Sequence, residues 1–379
     1  MAKVNPIKKY GGLEQYIEKI NSTSWKKSHN NRTCFRAYED VKNNLLDIQQ
    51  SVEKGAMAQE IAQALLSYKR EIDNIMAQGG DVESKIKKLL SSDPVLFLND
   101  HGPGHINKVI EKANEILSFF SGEFITEHEA FILLCAIQIH DIGNILGRIN
   151  HEKKLQQIFD EKCKEIIVDT AERRIIKSIA MAHGGYSING KDTISVLNSS
   201  EYILGVKIRT RLLAALLRFS DELADDSTRC SRSSLDLGII GVNSKIYQDY
   251  SRVLHTVKVE ENHESGGYKI QLIYELSEND IKEKYDINNF EKYLLDEIYD
   301  RTLKVERERR YCMKFIHQCI NIEKVEVEIN IYGSDCRALD CIRYSLEDVS
   351  YPSEPDSGTI KFFVNSIRTG AEELVYLNI

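Results

Sequence analysis

Apolar residues recur along most of the chain at intervals of three and four, the spacing that lines one face of a helix. From residue 37 to 75 they are Val41, Leu45, Ile48, Ile61, Leu65, Ile72 and Ile75, and the run stops near Gly79-Gly80. The strongest periodicity lies between residues 91 and 245. One helix is expected after Gly104, with Val109, Ile110, Ala113, Ile116 and Leu117 on a face. A second runs from about Glu127 to Leu146 through FILLCAIQIH, apolar nearly all round, which predicts a central, buried helix. A third covers Ala171 to Met181 and a fourth Ile208 to Leu223.

The period changes from Val253 to Leu276, where VLHTVKVE and YKIQLIYEL alternate apolar and polar residues around Gly266-Gly267. That pattern predicts a β-hairpin. A charged helix is expected from about Asn288 to Ile320, then a strand through KVEVEINIY. The last residues hold a Pro/Ser/Gly cluster, SYPSEPDSG, and a strand-like IKFFV. The pattern therefore predicts a mainly α protein in four parts. These are an N-terminal helical extension (1–90), a helical core (91–245), a smaller α+β accessory region (246–335) and an irregular C-terminal appendage (336–379).

Composition narrows the function. With 42% apolar and 28% charged residues, the chain can bury a core without staples. The formal charge of −8, from 50 basic and 58 acidic side chains, argues against a protein that coats a nucleic-acid backbone. It leaves room for a small basic pocket around a nucleotide. The eight cysteines form no CxxC pair, which disfavours a zinc ribbon or a thioredoxin-like site, and Cys135 reads as a small core residue. With no signal-peptide pattern and no apolar run of roughly 18 residues, a cytoplasmic protein with reduced thiols and no membrane partner is expected.

Five segments carry the candidate chemistry: HGPGH with His105, IHDIGN with His140 and Asp141, NHE with His151, MAHGG with His183, and FSDELAD with Asp221. Each falls in or beside an apolar helix, where an unpaired imidazole or carboxylate is costly. Neighbours on a helix differ by about 100°, so His140 and Asp141 cannot share a stripe. Both can reach a cation at the helix's C-terminal end, where Gly143 is expected to stop the helix. A mixed set of His and carboxylate suits Mn, Fe, Co, Ni or Mg and leaves coordination positions open.

On HGPGH, HDIGN and SDELAD, between about Asp100 and Asp226, the chain resembles the HD superfamily of metal-dependent phosphohydrolases. The resemblance implies a helical HD-domain bundle, with His105, His140, Asp141 and Asp221 holding one divalent ion. It implies hydrolysis of phosphate esters by a metal-activated water that Asp141 tunes. NHE looks like the HE motif of deoxynucleotide triphosphohydrolases, which makes His151 and Glu152 catalytic candidates and deoxynucleoside triphosphates the preferred substrates. MAHGG resembles a segment of CRISPR-associated HD nucleases and two-metal phosphodiesterases, in which His151 and His183 would bind a second ion with Asp141 bridging. Those relatives carry a doubled histidine where this chain has Ala182-His183, and many have lysine in place of Asn144.

Arg148, Arg173, Arg174, Lys177 and Arg218 lie close enough in sequence to be phosphate ligands, although each is also an ordinary residue for a solvated helix face. The accessory segments resemble those that HD hydrolases use to form homo-oligomers, and by analogy a phage-defence setting fits them. Two alternatives stand beside the triphosphohydrolase: a two-metal nuclease or cyclic-nucleotide phosphodiesterase acting on single-stranded nucleic acid or cyclic dinucleotides, and a nucleotide-sensing regulatory module without turnover.

Overall fold

The first ordered turns are set by caps. Asn5 accepts from the backbone N–H groups of Ile7 and Lys8 at 3.0 and 3.2 Å and starts α1 (Pro6–Tyr10), which is followed by α2 (Leu13–Lys19). The computed structural model describes residues 4–20, 25–26, 29, 32–50, 102–146, 151–203, 205–230, 242–287 and 290–347. Helix α3 covers 34–50, the first part of the long N-terminal helix expected from the sequence; residues 51–101 lie outside the described residues.

Four helices then build the bundle: α4 (Pro103–Ser118), α5 (Glu127–Ile139), α6 (His151–Cys163) and α7 (Thr170–Met181). Pro103 occupies the first turn of α4, where its missing N–H costs nothing. Helix α5 has a full capping box, Thr126 with Glu129, and buries every residue from His128 to Ile139. It is the central helix that its all-round apolar sequence predicts. It ends earlier than expected, however. Ile139 is the last α-helical residue, His140 caps the helix, and Ile142–Leu146 continue as a 3-10 helix.

A two-stranded ribbon, β1 (Glu201–Ile203) and β2 (Val206–Ile208), leads into α8 (Thr210–Glu222), which packs against α4, α5 and α7. At the start of α8 the Arg209 guanidinium forks onto buried Glu129, with Nε donating to Oε1 at 2.8 Å and Nη2 to Oε2 at 2.7 Å. Two helices are thereby pinned by one charge pair.

The C-terminal half begins with α9 (Val242–Val253) and the expected hairpin, β3 (Leu254–Glu261) with β4 (Tyr268–Ser277). Gly266 has φ +77 in its turn, a conformation that side chains disfavour. Ser277 then caps a short α10 (Glu278–Lys282), and a ribbon of β5 (Lys284–Ile287) and β6 (Phe290–Tyr293) precedes α11 (Leu294–Ile316). The charged helix expected from Asn288 therefore starts at Leu294.

Strand β7 (Ile322–Tyr332) lies parallel to β4, so α11 forms part of the crossover between two neighbouring strands. The sheet order is β3-β4-β7-β8. Strand β8 (Ala338–Glu347) corrects the expected boundary: ten residues assigned to an irregular appendage pair antiparallel with β7. Ile342, Tyr344 and Leu346 alternate inward on it. Residues 348–379, including SYPSEPDSG and IKFFV, lie outside the described residues. Among the described residues no helix is long and apolar enough to cross a membrane.

Candidate metal centre

Helix ends bring the acidic and imidazole groups together. His105 sits in the first turn of α4, His140 caps α5 with Asp141 next to it, and Asp221 lies in the last turn of α8. His183 follows α7 by two residues, after its cap Ala182. Four of these five groups thus stand at the C-terminal ends of α5, α7 and α8. The partial negative charge of such ends favours a cation between them.

The distances describe one cluster. His105 Nε2 lies 3.0 Å from Asp221 Oδ1 and 3.7 Å from Asp141 Oδ2. His140 Nε2 lies 3.4 Å from Asp141 Oδ2 and 3.6 Å from Asp221 Oδ1. Donor atoms of His105, His140 and Asp141 all fall within 4.8 Å of one another. His183 approaches from the other side, its Nε2 3.7 Å from Asp141 Oδ1. Asp141 thus presents one oxygen to His105 and His140, and the other to His183.

This donor set suits a divalent cation. The Nδ1–H of His140 donates to the Ile137 carbonyl at 2.8 Å, which directs Nε2 at the carboxylates. That Nε2 is buried and has no hydrogen-bond partner among the described residues. His183 is oriented the same way, its Nδ1–H donating to the Ala180 carbonyl at 2.6 Å. The side chains of His105 and His140 are 1% and 0% exposed, whereas that of Asp221 is 26% exposed. The cluster is dry on one side and open on the other.

Electrostatics give the same picture. Burial alone would push the His140 pKa down, but the adjoining Asp141 and then Asp221 outweigh it and hold the imidazole well above its ordinary value. Burial would likewise raise Asp221, but the hydrogen bond with His105 and the nearby His140 imidazole hold its carboxyl well below the usual range. The His/Asp cluster could hold a metal ion in place of these protons.

The other sequence candidates are placed differently. His151 and Glu152 open α6, and their side chains lie outside the described residues, as does Arg148. Arg218 is buried and forks onto Glu308, Nε to Oε2 at 2.6 Å and Nη2 to Oε1 at 2.7 Å, while Nη1 donates to Thr193. Arg173 donates to the carbonyls of Lys164, Ile167 and Val168, Arg174 pairs with Glu201, and Lys177 pairs with Asp160. Arg218, Arg174 and Lys177 thus meet acidic side chains, and Arg173 meets backbone carbonyls.

Two groups escaped the sequence reading. Lys108, one turn after His105 on α4, pairs with Asp226 at 3.0 Å. Its position three residues beyond His105 was the available signal. Asn144, where many relatives have lysine, is buried, and its Oδ1 has no hydrogen-bond partner among the described residues.

Among known proteins, the HD-CE family model matches residues 95–304, more than half of the chain, and that span contains all five clustered groups. No curated protein and no solved structure matches the chain.

Proposed function

The chain belongs to the HD-CE family and carries an HD-type domain, and from that premise we propose that it is a metal-dependent phosphohydrolase acting on nucleotide phosphate esters. Deoxynucleoside triphosphates are the first substrate class to assign. The observation that carries this reading is the convergence of His105, His140, Asp141 and Asp221 from three helices within one cluster.

A divalent cation held there supplies Lewis acidity toward a phosphoryl oxygen and a water nucleophile at neutral pH. The chain's own groups provide the surroundings. Asp141 and Asp221 supply the negative charge that would retain a cation, and the Ile137 carbonyl on Nδ1 leaves Nε2 as the His140 nitrogen that would face it. The partly exposed Asp221 side marks where substrate and water enter, while His105 and His140 stay dry. His151, at the start of α6, is assigned to the leaving-group oxygen, with Glu152 orienting its ring.

The test is incubation of the purified protein with deoxynucleoside and ribonucleoside triphosphates, cyclic dinucleotides and single-stranded DNA, each under Mn, Mg, Co and Ni. Release of phosphate or triphosphate from mononucleotides alone, abolished by Asp141→Ala, supports the reading. Tight nucleotide binding with no turnover under every metal would make the protein a sensor instead.

One observation favours a second reading, the two-ion nuclease or phosphodiesterase. Asp141 turns its two oxygens toward different histidines, the arrangement of a bridging carboxylate. Two bound equivalents, one of them lost on changing His151 or His183, would establish that alternative.

A further inference from the structure

A second group of metal-ligand type lies outside this centre. His128 stands in the first turn of α5 and Glu172 in the first turn of α7, 6% and 1% exposed. His29 reaches them from the N-terminal segment. His29 Nε2 is 2.9 Å and His128 Nε2 2.5 Å from the same carboxylate oxygen, Glu172 Oε1. The donor atoms of all three lie within 4.8 Å of one another.

The hydrogen positions make this arrangement informative. A carbonyl can only accept, so His29 Nδ1, 2.9 Å from the Trp25 carbonyl, carries a proton. In the neutral ring, Nε2 is then a lone pair aimed at a carboxylate oxygen. That contact is repulsive unless a cation or a second proton lies in it. His140 and His183 show the same device at the centre described above, with a backbone carbonyl on Nδ1 and Nε2 turned toward a carboxylate. His317 also has Nδ1 beside a carbonyl, so that contact alone is not diagnostic. What sets His29 apart is that its Nε2 and a second imidazole meet one buried carboxylate.

The surroundings hold this geometry. The Trp25 ring stacks on His29 at 3.7 Å between centroids and 5° between planes, and meets His128 edge-on at 5.0 Å. The His29 side chain is 14% exposed, which leaves a side from which water can complete a coordination shell. Two imidazoles and a carboxylate form a donor set for zinc or another late first-row divalent ion.

We propose that His29, His128 and Glu172 bind such an ion, zinc being the class the donors fit, and that it fastens His29 to the starts of α5 and α7. This site is structural and stands apart from the phosphohydrolase reading. The alternative occupant is a proton, with His29 as an imidazolium paired to Glu172.

The experiment uses the full chain in an Asp141→Asn background, so that the centre at His105 and His140 is disabled in every sample. Protein stripped with a chelator is reloaded with Zn²⁺, desalted and assayed for bound zinc by elemental analysis, and Co²⁺ loading is followed by its visible absorption. The expected result is one more equivalent in Asp141→Asn than in Asp141→Asn with His29→Asn, and loss of the same equivalent with Glu172→Gln. His29 is partly exposed, so its variant is the one chosen to stay folded, and circular dichroism checks that it does. Equal zinc content with and without His29→Asn overturns the proposal. So does a His29→Asn effect confined to the acid-unfolding midpoint, which would mean that a proton fills the site.

Discussion

Replacing Asp141 by Asn removes the charge that faces three histidines while keeping the side chain's shape. A ligand that binds only the folded state stabilises it by about 2.7 kcal/mol when present at 100 times its dissociation constant. Loss of an anionic donor weakens the site at least as much as losing an outer-shell partner, for which about 100-fold is the upper figure. At the same metal concentration the stabilisation then falls to about 0.4 kcal/mol. The missing ~2 kcal/mol corresponds to roughly 3 °C in midpoint for a protein of this size. The same change deprives His140 of the first of the charges that hold its imidazole protonated, so the metal-free protein is altered as well. The quantity to compare is therefore the metal-induced rise in melting temperature of each protein, measured by calorimetry with and without Mn²⁺ or Co²⁺. Hydrolysis should fall on the order of 1,000-fold, since cation stabilisation of the transition state contributes several kcal/mol. An Asp141→Asn protein that keeps the full metal-induced rise and the full rate would refute the assignment of the centre.

Other outcomes follow from neighbouring contacts. Arg218→Ala should cost about 3–5 kcal/mol in urea unfolding, because it leaves Glu308 unpaired in a largely buried setting; a folded Arg218→Ala protein whose only defect is a raised KM would restore it as a phosphate ligand. Burial, then the hydrogen bond to Asp192, pushes the Tyr311 hydroxyl up to about 12 from 10.0. A raised folded-state value gives stability that is complete below pH 10 and lost as pH climbs toward 12. Tyr311→Phe should flatten that alkaline decline and cost about 1 kcal/mol at neutral pH, readable from denaturant midpoints across pH. His183→Asn should leave the first metal equivalent in place and, in the two-ion reading, remove the second; elemental analysis of the variant decides between them.

Much of the architecture was legible because its signals are local. Helix α5 announced its central position through an unbroken apolar run, and the β3–β4 hairpin through alternation around Gly266-Gly267. The four candidate positions stood out because imidazole and carboxylate are expensive on apolar helices. What was lost depended on distant partners. A guanidinium looks the same in sequence whether it meets phosphate or protein, and Arg218 finds Glu308 90 residues away. His29 and Glu172 are 143 residues apart, and neither sits in a motif. Strand β8 did carry a signal, the alternation of Ile342, Tyr344 and Leu346, but it is short and follows a polar turn.

The parallel pairing of β4 with β7 has a consequence for how this chain can be divided. To return in the same direction, the chain threads α11 across the bundle, where it packs on α8. There Lys304 meets Glu222, and Glu308 holds Arg218. The residue after Asp221 is thus gripped by a helix that runs from the β5–β6 ribbon to strand β7 of the sheet. A fragment ending at residue 245 would keep every clustered donor yet leave one flank of α8 bare, with Arg218 and Glu222 stripped of their counter-charges. The accessory half is a buttress for the histidines and aspartates, and its removal should loosen the very helix end that presents Asp221.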